Sequence, residues 1–254
     1  MIKRTPVIDT IYNHSSVRHY RDEPISPDLV RTIVAAGQQA ATSSNLQLYS
    51  AIAVSDPASR KHLAELCGDQ EHIRQAPVFI AWCADLSRLH RICREQGHQI
   101  DAEYMENFLV AAVDTALLMQ NACLAAESLG LGTCFIGGIR NRPAQVIKAL
   151  DLPKLTFAVS GMTLGYPDSA PVNRPRLETE AILHWERYDP KDEAKLLDLY
   201  DASMRATGIY QGRQIETDED SDQYGWREHS ARRVKKTSRT DLRVVLEHQG
   251  FGLK

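Results

Sequence analysis

Two arginine-containing segments of the chain combine residue types that suit an anionic ligand. The segment from His14 to Arg21 contains two imidazoles, two serine hydroxyls and two guanidiniums. Arginine offers a planar fork of donors and serine a short flexible hydroxyl, which together suit a phosphate group. In Arg174-Pro175-Arg176, the proline favours an extended backbone that sets the geometry of both guanidiniums. Each segment alone is more often a solvated loop than a binding site, so the residues leave both interpretations open.

Two further segments are polar or glycine-rich. Residues 41–47 read Ala-Thr-Ser-Ser-Asn-Leu-Gln, a composition typical of a loop. Gly137-Gly138 follows an apolar run, where glycines allow a backbone to approach a flat ligand closely, although a tight turn explains the pair equally well. Gly130-Leu131-Gly132 has no third glycine and leads from a helix to a strand, so the sequence excludes a Rossmann dinucleotide fingerprint.

Composition excludes several classes of protein. The 254 residues carry a formal net charge of -3, which argues against general binding of nucleic acid. Metalloprotease, EF-hand, P-loop and serine-hydrolase motifs are absent from the sequence, and the five cysteines show no metal-ligand spacing, as expected of reduced thiols. The N-terminus lacks the apolar core of a signal peptide. We therefore expect a cytoplasmic protein without bound metal and without nucleic-acid or membrane partners.

The hydrophobic patterns predict the elements that would position these segments. Helical spacing and end signals favour helices near residues 26–41, 56–67, 102–129, 143–150 and 191–204. Short apolar runs favour buried strands at 49–54, 77–83, 133–136 and 155–164. Such alternation predicts an α+β or α/β layered domain. A shift in composition near residue 188 predicts a core over 1–187 and a C-terminal extension over 188–254.

Two features of this pattern have specific consequences. The helix over 102–129 is apolar on almost every face, so we expect burial nearly all round in a domain or dimer core, with partners for Asp114 and Gln120 if these are buried. Its charged and amide residues argue against a membrane span. In the extension, Glu216 to Asp222 predicts a solvated acidic loop, and Arg232 to Arg239 a basic cluster on the final helix.

Taken together, the order and spacing of these segments resemble the FMN-dependent, oxygen-insensitive nitroreductases and flavin reductases, in particular their NADPH-preferring branch with a C-terminal extension. The resemblance covers nearly the whole chain. It rests on residues 14–26, 41–47, 68–70, 114–132, 136–138 and 174–177. It implies an α+β fold of the nitroreductase type, an α-β-α sandwich with a central mixed β-sheet, a long helix buried at the core of a homodimer, and the extension.

The resemblance also implies roles for individual residues toward FMN. His14, Ser16 and Arg18, with Ser15 beside them, would hold the ribityl phosphate and lower ring, and Arg174 and Arg176 would complete the phosphate site. Ser43, Asn45 and Gln47 would reach the flavin from the second subunit. Gln70 would hydrogen-bond the pyrimidine side of the ring, and Ile136, Gly137 and Gly138 would bring a backbone N–H near N5.

Activity follows from the same resemblance. Hydride would pass from NADPH to FMN, and electrons would then pass to nitroaromatics, quinones or free flavin in a ping-pong cycle without a nucleophilic side chain. Arg213 and the nearby Arg205 would bind the nucleotide, although an arginine expected near Gly208 is absent, which makes the preference for NADPH less secure than FMN binding. A flavin reductase that supplies a partner enzyme and a non-catalytic flavin-binding redox sensor remain the alternatives.

Overall fold

The computed structural model describes residues 4–170, 172–212, 224–236 and 238–254. The chain forms two compact units, of which the first comprises Met1–Pro171 together with Arg239–Lys254 and the second Val172–Ser238. The last sixteen residues of the sequence thus belong to the same unit as the sheet described below. The sequence-based boundary at residue 187 stays a prediction.

A four-stranded sheet forms the centre of the first unit. Its strands are β1 (Tyr49–Val54), β2 (Val78–Asp85), β3 (Gly132–Ile136) and β4 (Thr156–Gly165), in the order β1-β2-β4-β3. All three ladders are antiparallel. Within the described residues, parallel pairing occurs at one isolated bridge, between Ser16 and Thr133. This bridge places the N-terminal segment beside β3.

In the part of the chain that the structure describes, ten α-helices surround the sheet or form the second unit. Their bounds, in chain order, are α1 (Pro6–Tyr12), α2 (Pro27–Gly37), α3 (Pro57–Leu66), α4 (Glu71–Gln75), α5 (Ser87–Glu95), α6 (Met105–Ser128), α7 (Pro143–Ala149), α8 (Glu193–Ala206), α9 (Trp226–Lys235) and α10 (Leu242–Gln249). The predicted helix starts are confirmed where capping was the signal: the Leu29 N–H donates to Ser26 Oγ over 3.2 Å, and Pro27 occupies the first turn of α2.

Alternation along β2 divides the core into two layers. Phe79, Ala81 and Cys83 pack in a cluster with residues of α3, α4 and α7. Ile80 and Trp82 face the other side and pack in a cluster with residues of α2 and α6. Since successive strand residues point to opposite faces, β2 is buried on both faces and reads as a continuous apolar run. The expected α-β-α sandwich is therefore confirmed.

Helix α6 departs from the expected burial on all sides. One face packs against the sheet and α2, while Leu109, Val113 and Leu117 are 53%, 48% and 43% exposed within this chain. These residues recur every fourth position and form one apolar stripe, so no element of the described chain covers this side. By length and composition α6 would also be able to cross a membrane, a test that core helices of soluble proteins pass too.

The C-terminal prediction needs one correction. The basic residues Arg232, Arg233 and Lys235 lie on α9, but the final helix is α10, and Arg239 belongs to neither. Val245 and Leu246 of α10 are buried with Phe251 in the first unit. The charged residues of this region obscure the apolar spacing of α10 in the sequence. The acidic run from Glu216 to Asp222 lies outside the described residues.

The second unit has its own small packed centre. Tyr200 of α8 and Trp226 of α9 meet edge to face with ring centroids 5.1 Å apart. The buried carboxylate of Asp201 accepts the Arg227 N–H over 2.8 Å, and a Cβ on Gly225 would come within 2.3 Å of it. A larger residue at 225 would therefore displace the carboxylate that joins α8 to the start of α9.

Candidate functional site

The N-terminal segment is fixed against β3 and β4 by Val17 and Tyr20. The Val17 N–H donates to the Thr133 carbonyl over 2.8 Å. The Tyr20 hydroxyl lies 2.7 Å from both the Val17 carbonyl and Thr163 Oγ1, and burial raises the pKa of Tyr20 above its ordinary value, which keeps the phenol protonated. Val17 and Tyr20 are buried, whereas Ser16 and Arg18 are exposed. The strand-like alternation thus leaves the two predicted ligands free on the outer side.

His14 and Ser15 have different surroundings. His14 Nδ1 lies 2.6 Å from Glu127 Oε1 on α6. Ser15 Oγ is buried and unpaired among the residues described, and Ser15 lines a cavity of about 600 Å³ together with Val17, Glu127 and Gly132. Ser15 therefore shares a side with the buried Val17 rather than with Ser16 and Arg18, and its predicted part in cofactor binding stays untested.

The Gly137–Arg140 turn at the end of β3 brings two predicted site segments together. A Cβ on Gly138 would lie 2.2 Å from the Cys67 carbonyl oxygen and 2.8 Å from Gln70 Nε2. Gln70 Nε2 donates to the same Cys67 carbonyl over 2.7 Å. At Gly137 the nearest atom to such a Cβ is 3.6 Å away. Gly138 is therefore enclosed by the Gln70 region, while a Cβ at Gly137 would make only ordinary van der Waals contacts.

Helix α4 begins directly after Gln70 and carries a histidine that the sequence analysis did not single out. His72 follows Gln70 by two positions, and its Nε2 is buried and unpaired within the described chain. Burial lowers the pKa of His72, and the positive charges of Arg18 and His19 lower it further. The charge of Arg18 therefore influences the pKa of His72 on α4. The sequence gives no signal that a lone histidine on a five-residue helix lies near Arg18.

Two arginines beside Gly137 were also missed. A Cβ on Gly137 would have Arg140 Nη2 at 3.6 Å and Arg239 Nη2 at 3.9 Å as neighbours. Arg140 donates to the Val159 carbonyl, and burial followed by repulsion from Arg239 lowers its pKa. Arg239 donates from Nε and Nη2 to Asn141 Oδ1, both over 3.1 Å. Since Arg239 is about 100 residues from Gly137 in sequence, only the fold reveals this cationic neighbourhood.

Strand β3 sets the distance between the two ends of the site. The N-terminal segment joins it at Thr133, and Gly137 with Gln70 lies at its other end. Four residues of strand span about 13 Å. Arg18, Arg140 and Arg239 form no ion pair with a carboxylate anywhere in residues 4–170 or 239–254. The arrangement suits an elongated ligand with an anionic group and a polar ring.

The segment with Ser43, Asn45 and Gln47 is anchored by the buried carboxyl group of Asp114. Both oxygens of Asp114 accept backbone N–H groups, from Ser43 over 3.0 Å and from Leu48 over 3.4 Å. The sequence prediction that Asp114 needs partners is confirmed, while Gln120 is exposed. Asn45 and Gln47 have left-handed backbones with φ of 57° and 53°, an unfavourable state for a residue such as glutamine. The loop is thus tied to α6 at Asp114 and exposes its polar side chains.

The remaining predicted residues lie in the second unit. Arg174 and Arg176 are exposed, and Arg176 Nη1 lies 3.3 Å from the Arg174 carbonyl. Arg205 Nη1 is 3.6 Å from Asp201 Oδ2. Arg213 lies outside the described residues. The phosphate and nucleotide roles of these four arginines stay predictions.

Comparison with known proteins places both parts of the chain in one family. The "Nitroreductase family" profile matches residues 11–166, and the "Nitroreductase family, C-terminal domain" profile matches residues 174–254. The chain is 37% identical over 250 residues to the oxygen-insensitive NADPH nitroreductase of Salmonella typhimurium, covering 98% of this chain and 100% of that protein.

Solved structures agree with the sequence match. NfrA2 of B. megaterium superposes with a TM-score of 0.92 at 36% identity, covering 99% of this chain and 100% of that one. The NADPH:FMN oxidoreductase of Vibrio harveyi, solved in complex with NAD+, gives 0.86 at 32% identity, with 98% and 99% covered. Because sequence and fold both match over nearly the full length, this chain belongs to the nitroreductase family.

Proposed function

We propose that this protein binds FMN along β3 and uses it to transfer electrons from NADPH to nitroaromatics, quinones or free flavin. One observation carries the proposal. The enclosed Gly138 and the less crowded Gly137 leave a stretch of backbone without side chains beside Gln70 and two guanidiniums. The nitroreductase and oxidoreductase names of the relatives support the same activity. When bound, FMN supplies the redox chemistry by accepting hydride and passing electrons on.

The residues of the first unit fit this cofactor in charge. Arg18 at one end of the site and Arg140 with Arg239 at the other are cations without a paired carboxylate in the described part of the first unit. An anionic phosphate and a ring that becomes electron-rich both need nearby positive charge. The site therefore supplies compensation where the ligand carries or gains negative charge.

The same residues fit in hydrogen bonding. Because Gln70 Nε2 donates to the Cys67 carbonyl, the amide is oriented and its Oε1 stays available as an acceptor for a ring N–H. Ser16 contributes a hydroxyl on the outer side of the N-terminal segment, where Arg18 also lies. We assign Ser16, Arg18, Gln70 and Gly137 to cofactor binding on these grounds. His14, Ser15, Ile136, Gly138, Arg174 and Arg176 complete the proposed set.

The acting form is a homodimer in this proposal. The stripe of Leu109, Val113 and Leu117 is an exposed apolar face on the longest helix, and burying such a face against a second copy removes it from water. Ser43, Asn45 and Gln47 would then face the partner's flavin. Val113→Asp should sediment as a monomer, and an FMN titration of this variant should show weakened binding. A dimer that persists in this variant would exclude α6 as the interface.

We further propose NADPH as the donor, with Arg205 and Arg213 as its ligands, and a cytoplasmic location. The free state of Cys67, Cys83 and Cys123 supports a reducing compartment. Burial raises the pKa of each of these thiols to about 12, so they do not act as thiolate nucleophiles.

Steady-state kinetics tests the reaction. Initial rates measured while NADPH and a nitroaromatic are both varied should give parallel double-reciprocal lines, as a ping-pong cycle requires. Intersecting lines would show that donor and acceptor must bind together and would contradict the proposal. Rates with free FMN and with a nitroaromatic at equal concentration separate a nitroreductase from a flavin reductase that serves a partner. A yellow protein without repeated turnover would instead support a redox sensor.

A further inference from the structure

A half-buried carboxylate, that of Glu127, pairs with the first residue of the proposed cofactor site. His14 Nδ1 and Glu127 Oε1 are 2.6 Å apart, and the two side chains are 28% and 12% exposed. His14 Nε2 forms no hydrogen bond within residues 4–170. The pair joins the N-terminal segment to α6, so one ring nitrogen is held by the fold and the other stays available to a ligand.

The groups around this pair leave Glu127 with few partners. Cys123 Sγ lies 3.6 Å from Glu127 Oε1, and burial raises the pKa of this thiol to about 12, so it is neutral. Glu127 Oε2 is buried and unpaired in the described chain. Asp9 of α1 lines the adjoining cavity, and β3 contributes the uncharged Thr133. Of these groups, His14 makes the shortest contact with Glu127, at 2.6 Å.

A shared metal ion explains the geometry less well than a hydrogen bond. Ligand atoms of His14, Cys123 and Glu127 lie within 4.8 Å of one another. Two nitrogen or oxygen ligands that each lie about 2.0–2.1 Å from one tetrahedral zinc would be about 3.3 Å apart. The observed 2.6 Å is instead the length of a short N–H···O hydrogen bond. We therefore treat the His14–Glu127 contact as N–H donation to a carboxylate.

We propose that Glu127 is a positioning residue that holds the proton on His14 Nδ1 and compensates the charge of the ring, so that Nε2–H donates to an anion. The inference rests on the proposed function, in which that anion is the phosphate of FMN. A carboxylate accepts but does not donate, which fixes the tautomer. Carboxylates that accept from one ring nitrogen fix the tautomer and orientation of metal-binding histidines in the same way. A second proton, on Nε2, makes the ring a charge-assisted donor toward phosphate.

The test compares FMN with riboflavin, which lacks the phosphate, as ligands of the flavin-free full chain. Glu127→Gln retains an acceptor for Nδ1 but removes the charge. It should weaken FMN binding about tenfold, the equivalent of about 1.4 kcal/mol, and change riboflavin binding less than twofold. Glu65→Gln is the matched control, because Glu65 pairs with His62 at 3.8 Å on an exposed surface. The control should bind both flavins like the wild type.

A second variant separates positioning from a structural role. Asn at position 14 has an amide near the place of Nδ1, so His14→Asn keeps a donor for Glu127 and removes Nε2. It should lose the preference for FMN over riboflavin to the same degree as Glu127→Gln, and the double variant should be no weaker than either. If Glu127→Gln fails to fold, His14→Asn alone tests whether the pair sets the preference for FMN over riboflavin.

The outcomes separate the inference from the proposed function. Equal loss of FMN and riboflavin binding in both variants would show that the pair only anchors the segment, and the inference would fail. Wild-type protein that binds neither flavin would overturn the proposed function itself. As an independent readout, the ¹⁵N signals of His14 in the FMN complex should show both ring nitrogens protonated. An unprotonated Nε2 there would contradict the inference.

Discussion

Adjacent glycines in the turn after β3 offer a sharp test of the site. Gly137 and Gly138 share the same turn, yet only the second is enclosed. A methyl group at 138 would lie 2.2 Å from the Cys67 carbonyl oxygen, more than an ångström inside the ordinary contact range of 3.4–4 Å. The obstacle is backbone, which cannot rotate away. At 137 the nearest atom is the tip of the flexible Arg140 side chain, at 3.6 Å.

These distances set the expected magnitudes. Overpacking of this kind costs about 1–3 kcal/mol, and we expect Gly138→Ala near the upper end because it must move Cys67 or the turn. For a chain of this size, that corresponds to a melting temperature lower by about 5–10 °C. Gly137→Ala should change stability by less than about 0.5 kcal/mol. With its methyl facing the proposed flavin site, it should instead weaken FMN binding about tenfold.

Thermal unfolding of the flavin-free variants, followed by FMN titration of each, measures both quantities. The account requires opposite profiles: Gly138→Ala mainly destabilises the fold, and Gly137→Ala mainly weakens FMN binding. Equal melting temperatures for the two variants would refute the packing argument. Unchanged FMN affinity in Gly137→Ala would refute the assignment of bare backbone to the cofactor.

Three further predictions address the sheet, the loop and the donor. Burial alone would raise the pKa of Asp85, but hydrogen bonds from Ser50, Ser87 and Thr156 outweigh it and lower the pKa. The ionised Asp85 therefore stabilises the fold above its unfolded-state pKa of about 4. This stabilisation is lost as the pH falls through the lowered folded-state pKa. Asp85→Asn should lower the free energy of unfolding in urea by about 1–3 kcal/mol at about pH 7 but by much less at about pH 3, and an equal difference at both would contradict this. Asp114→Leu should cost about 1–3 kcal/mol in the same assay, because it leaves the Leu48 N–H unpaired; wild-type stability would show that the loop does not depend on this anchor. Arg213→Ala should raise KM for NADPH more than for NADH, and equal effects would remove Arg213 from the nucleotide site.

Periodicity predicted the layered fold well because its signals are local. The span of β1 and the Ser26 cap of α2 follow from neighbouring residues alone. The exposed stripe on α6 does not, because composition cannot tell a face buried by the same chain from one left for a partner. The final helix was missed because Arg239 and the charged residues before it obscure the apolar spacing of α10.

The site residues also divide into those that the local sequence predicts and those that only long-range packing brings to the site. Gly137, Gly138 and Gln70 were predicted, and the structure brings Gly138 against Gln70. His72 and Arg239 were not, since their proximity to Arg18 and to Gly137 arises from long-range packing. The partner of His14 was also invisible in sequence, because Glu127 lies 113 residues away on a helix that reads as core.

The central claim is that this chain carries electrons on bound FMN, and an absorption spectrum of the purified protein under NADPH titration without oxygen tests it directly. The account predicts flavin absorption that bleaches with one equivalent of NADPH and returns when a nitroaromatic is added. A protein that stays colourless after incubation with FMN, or whose flavin is not reduced by NADPH or NADH, would contradict it.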